Sequence, residues 1–89
     1  MNVDISRAFV KDTGPFPDIP KLIILGVIKE IQDAKIPHAI RDCSKLKGTE
    51  DMYRIRRGVY RVTFQYDGTT ATLKRVLPRG QIYKKHNLK

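Results

Sequence analysis

A chain of 89 residues that is 40% hydrophobic carries enough aliphatic content to fold and is short enough to be one domain, 1–89. Eighteen Lys and Arg against nine Asp and Glu give a formal net charge of +9, which points to a polyanionic partner, nucleic acid or an acidic protein. A single cysteine, Cys43, excludes an internal disulfide, no apolar leader is expected in Met1–Val10, and Leu22–Ile28 is too short to span a bilayer, so a cytoplasmic protein is expected.

In chain order, Met1–Ile5 alternates weakly and predicts an edge strand. Ser6 is placed to cap a short helical stretch through Phe9 and Val10, which Gly14 and Pro15 end. A longer helix is predicted from Asp18, taken as its cap, with Pro20 tolerated in the first turn and Pro37 setting the limit near Ala34. Ile19, Leu22, Ile23, Val27 and Ile31 make one apolar stripe, and Ile24, Leu25 and Ile28 widen it almost all round. Two arrangements accommodate that: a helix buried between the sheet and another segment, or a second apolar face for a partner protein. Gly26, costing about 1 kcal/mol against Ala in mid-helix, predicts close approach of another element.

Beyond a polar connection from Ser44 to Asp51 the period changes to two. Met52–Arg56 and the alternating Tyr60, Val62, Phe64 and Tyr66 predict a hairpin turning at Arg57-Gly58, and Asp67-Gly68 predicts a second turn into a strand Thr69–Leu77. The fold expected is α+β, with N-terminal helices packed on one face of a small antiparallel sheet. Two-residue loops at those dipeptides set Arg54 opposite Arg61 and Arg61 opposite Lys74, with Arg75 replacing Lys74 if a bulge intervenes. One face is then core: Tyr53, Ile55, Tyr60, Val62, Phe64, Ala71 and Leu73. The other carries Arg54, Arg56, Arg61 and Lys74 beside Thr63 and Thr72.

Like charges directly opposite destabilise a sheet by up to roughly 1 kcal/mol per pair, and an anion across the row relieves them. Phosphate matches the planar arginine fork. Arg79 adds another fork and Tyr83 a ring on which a base can stack. Lys45, Lys47, Lys74, Arg75, Lys84 and Lys85 are the further cations expected to contact RNA. No Asp, Glu, His or Cys spacing suggests a metal site, and nothing suggests a cofactor.

The segments Ser44-Lys45-Leu46-Lys47-Gly48, Met52-Tyr53-Arg54-Ile55-Arg56 and Gly58-Val59-Tyr60-Arg61-Val62, with the ending Arg79-Gly80-Gln81-Ile82-Tyr83, resemble the RelE/ParE toxin superfamily, and its RNA-cleaving RelE branch in particular. The resemblance is loose over most of the chain and specific from Ser44 to Tyr83. It implies a metal-independent endoribonuclease, a type II toxin that enters the ribosomal A site, beside 16S rRNA, and cuts messenger RNA by attack of a ribose 2′-hydroxyl on the adjacent phosphate. Carried over by position, Arg54 and Arg56 match basic residues contacting the scissile region. Arg61 matches the arginine holding the phosphate, Arg79 the one near the leaving oxygen, and Tyr83 the base-stacking tyrosine. A cognate antitoxin in a heteromeric complex is implied as partner, over the apolar helix face around Ile24 and Ile28 or over the basic sheet.

One position departs from the family. Lysine often stands where this chain has Arg56, and arginine cannot lose its proton to act as a base. Three routes are then open: slow catalysis mainly by positioning and charge stabilisation, a base from RNA or water, or His86 in that role. The alternatives are a ParE-like gyrase inhibitor without ribonuclease activity and a basic RNA-binding domain that does not cleave.

Overall fold

The computed structural model describes residues 1–78. Ser6 caps as expected: its side chain accepts from the Phe9 amide at the start of α1 (Arg7–Thr13), just after strand β1 (Asn2–Ile5). Helix α2 (Asp18–Asp33) has Pro17 at its N-cap without a side-chain bond. Asp18 therefore acts from inside the first turn, where a negative charge favours the helix dipole. A 3-10 turn, Pro37–Ala39, leads to β2 (Cys43–Lys45), and β3 (Met52–Arg57), β4 (Tyr60–Tyr66) and β5 (Thr70–Pro78) complete the described chain.

The strand order is β1-β5-β4-β3-β2. The expected antiparallel sheet is present from β2 to β5, and β1 adds a parallel strand against β5, making the sheet mixed. Phe9 from α1 and Ile24, Val27 and Ile31 from α2 join Ile55, Val62, Phe64, Ala71, Leu73 and Val76 in one buried cluster. The α+β reading and the composition of the core face hold.

The phase of α2 does not. Only Ile24, Val27 and Ile31 are buried, whereas Ile19, Leu22, Ile23 and Leu25 are exposed. A helix apolar on nearly every side gives no unique phase, and the sheet selects one stripe. Gly26 is exposed on the outer side, and a Cβ there would meet nothing within 4 Å, so no neighbouring element within the described chain explains it.

Both hairpins turn one residue later than expected. Arg57 pairs with Tyr60, leaving Gly58-Val59 as the loop, and Asp67 donates its amide to the Thr70 carbonyl, leaving Gly68-Thr69. Each glycine holds the first loop position with positive φ, +57° at Gly58 and +98° at Gly68, while Val59 and Thr69 do not. That is the pattern of a turn with glycine first, where the expectation had placed glycine second. Asp67 reinforces its turn by accepting from the Thr69 and Thr70 amides, which holds its carboxyl below its usual range.

Candidate nucleic-acid interface

Later turns change who faces whom. Arg56, not Arg54, stands opposite Arg61, and Arg54 stands opposite Thr63. On the far side a bulge between Thr63 and Phe64 shifts β5, so that Arg61 faces Leu77 and Thr63 faces Arg75. The expected row Arg54–Arg61–Lys74 is therefore absent, and Lys74 falls in the bulge. Two rows replace it: Ser44–Arg54–Thr63–Arg75, and Arg56–Arg61–Leu77. The shift between β3 and β4 is two residues in sum, which preserves side-chain parity, so Arg54, Arg56 and Arg61 still share the face away from the core.

The arginines are held differently. Arg56 is exposed and meets the Asp42 carboxylate at 3.7 Å. Arg54 reaches the Ser44 hydroxyl at 3.4 Å. Arg61 is only 8% exposed, and its Nη1 donates to the carbonyls of Gly58 (2.8 Å) and Tyr60 (3.0 Å), so the turn itself fixes the guanidinium. Arg75 is committed to Asp12 by two hydrogen bonds of 2.7 and 2.8 Å, which raise its pKa. Asp12 also accepts from the Val76 amide, so α1 closes the edge of β5 beyond the end of β1.

Of the other expected RNA contacts, Lys45 pairs with Tyr53 and so projects to the core side of the sheet, away from Arg54. The ring of His38 meets Tyr53 edge-on at 5.9 Å on that side. Lys47 is exposed in the connection after β2. Arg79, Tyr83, Lys84, Lys85 and His86 lie outside the described residues. Asp42 and the buried Arg57, paired with Glu30, have no signature in the sequence: both depend on segments distant along the chain. Among the described residues no group of His, Cys, Asp or Glu is placed to hold a metal, and no helix is long and apolar enough to cross a membrane.

A second surface lies across the molecule. An apolar groove of about 250 Å³ runs between the helices, lined by Phe9, Val10, Ile24, Leu25 and Ile28 among others. It adjoins the exposed outer side of α2, where Ile19 is 71% and Leu22 65% accessible.

No family model matches the sequence. Toxin RelE3 of Methanocaldococcus jannaschii, however, is 36% identical over 84 residues, covering 93% of this chain and 96% of that protein. The chain belongs to the RelE toxin family. The toxin in the crystal structure of the RelB-RelE antitoxin-toxin complex from Methanococcus jannaschii superposes with a TM-score of 0.78 at 33% identity, over 92% of this chain and 96% of that one. The archaeal RelE-RelB complex from Pyrococcus horikoshii gives 0.71 at 27% identity, over 90% and 96%. Against these RelE structures, the five-stranded mixed sheet with its two helices is the family's fold in this chain.

Proposed function

We propose that this RelE family member is the toxin of a toxin-antitoxin pair and cleaves messenger RNA in the ribosomal A site, through attack of a 2′-hydroxyl on the adjacent phosphate. The observation that supports it best is the gathering of Arg54, Arg56 and Arg61 on one sheet face, with Arg56 and Arg61 directly opposite. Two like charges in register cost the free sheet stability, up to roughly 1 kcal/mol, and a bound phosphate recovers it. In this reading Arg56 and Arg61 hold the scissile phosphate and stabilise the charge that builds on it, Arg54 contacts the flanking backbone, and Arg79 and Tyr83 act at the leaving oxygen and the base.

Controlled expression followed by mapping of messenger RNA 5′ ends, with and without translation, tests it. Cuts confined to translated codons are expected. Arg61→Ala should abolish growth inhibition at equal soluble expression, and undiminished toxicity would remove Arg61 from the site. Intact messenger RNA with DNA damage favours a gyrase inhibitor, and neither effect favours a binding module.

A nuclease of this kind needs a neutralising partner, and its relatives crystallise with RelB antitoxins. A cognate antitoxin belongs to the same proposal. Of the two surfaces expected for it, the outer side of α2 has the stronger support, because its exposed Ile19, Leu22 and Leu25 adjoin the groove beside α1.

A further inference from the structure

Among the described residues, the cationic face has what it needs to hold a phosphate and little with which to take a proton. Its rows consist of Ser44, Arg54, Thr63 and Arg75, then Arg56, Arg61 and Leu77, with Met52, Gln65 and Thr72 beyond. None of these side chains is a base at neutral pH. Four carboxylates of the described residues border the face, and one of them, the exposed Asp4 of β1, pairs with Thr72 at the opposite edge of the sheet from Arg56. Asp12 is 8% exposed at its side chain and engaged by Arg75 and the Val76 amide. Asp51 accepts from the Gln65 amide at 2.6 Å. Asp42 is open, 48% exposed, and among the described residues it is the carboxylate that adjoins Arg56, at a loose 3.7 Å.

We propose that Asp42 is the general base of the cleavage reaction, an inference that rests on the ribonuclease reading above. Its position is built into the backbone. The Asp42 carbonyl accepts the Arg56 amide at 3.1 Å, which continues the β2–β3 ladder one step and brings Asp42 alongside Arg56. Asp42 is also the one non-glycine among the described residues with positive φ, +57°, a conformation that Asp and Asn tolerate best of the ordinary residues. Neighbouring strands lie about 4.8 Å apart, so Asp42 and Arg61 flank Arg56 from opposite sides. For a phosphate seated on Arg56 and Arg61, the proposal puts the adjoining ribose on the Asp42 side of Arg56.

The step balances without a cofactor. The Asp42 carboxylate takes the 2′-hydroxyl proton as O2′ forms its bond to phosphorus, and the bond from phosphorus to the 5′ oxygen breaks. The departing oxygen takes a proton from solvent water, and Asp42 returns its own to solvent. The products are a 2′,3′-cyclic phosphate and a 5′-hydroxyl, and Arg56 remains charged throughout.

The test is single-turnover cleavage of a reporter messenger RNA on programmed ribosomes by the full chain carrying Asp42→Asn. Asparagine keeps the backbone preference and the shape and loses the negative charge that faces Arg56 together with the ability to accept the proton. Cleavage should slow roughly 100- to 10,000-fold, while half-saturation stays the same or improves, because a negative charge beside a polyanion has gone. Asp42→Glu should retain more of the rate than Asp42→Asn. A carboxylate that merely neighbours Arg56 predicts the reverse, and wild-type or faster cleavage by Asp42→Asn overturns the assignment. Absence of cleavage by the wild-type chain would overturn the ribonuclease reading itself, and the assignment with it.

Discussion

Arg57 and Arg61 are both 8% exposed, and each buried charge finds partners in its own way. Arg57 projects from the core side of β3 to the Glu30 carboxylate of α2 and to the carbonyls of Arg41 and Arg56. A buried charge without such partners costs several kcal/mol, so this pairing fixes how α2 sits over the hairpin. Arg61 instead uses the turn carbonyls beside it. The burial around Arg57 extends to Cys43, whose thiol is pushed up to about 11 by desolvation, with the Arg57 charge pulling the other way. Only the thiolate is nucleophilic, so at pH 8 the reactive fraction of Cys43 is on the order of one in a thousand. Alkylation by iodoacetamide at pH 8 should therefore be more than 100-fold slower than for a free cysteine, and should accelerate in urea as the thiol is resolvated. Equal rates in native and unfolded chain would contradict the burial of Cys43.

The elements were legible in the sequence to different depths, and each failure has a local cause. Period-two alternation identified the faces of β3 and β4, because residue parity survives a shift of the hairpin loop by one position. The partners across the hairpins were misassigned, since Arg57-Gly58-Val59 and Asp67-Gly68-Thr69 allow glycine first or second in the loop, and position alone decides between them. The bulge at Thr63/Phe64 leaves no trace in composition. For α2 the existence and limits of the helix were readable and its phase was not. Gly26 shows this most clearly: on the outer side of α2, with open space around it, it lowers helix propensity with no packing return inside the described chain. Gly26→Ala should accordingly stabilise the free protein by about 0.5–1 kcal/mol, read as a higher urea midpoint at unchanged slope. A loss of stability would mean that the chain packs more tightly there than the open surroundings indicate.

At the scale of the whole molecule, the excess of positive charge is divided between cations that the fold has already used and cations that it offers. Arg57 is bound to Glu30 and Arg75 to Asp12, so neither is available to a polyanion without breaking an ion pair. Lys45 belongs to the other side of the sheet from Arg54. Composition gave the net charge but not this division, which depends on contacts between α1, α2 and strands far along the chain. Salt dependence separates the two groups. Each phosphate contact on a single strand contributes about 0.7 to the slope of log K against log salt, through release of a counterion. Binding to a single-stranded RNA oligonucleotide should therefore weaken with salt, and Arg54→Ala and Arg56→Ala should each reduce the slope by about that amount. Arg75→Ala should leave the slope unchanged and instead lower the thermal midpoint, because it abandons the buried Asp12 carboxylate. A reduced slope for Arg75→Ala would show that the Asp12 pair opens when RNA binds, and the bulge of β5 would then belong to the RNA surface.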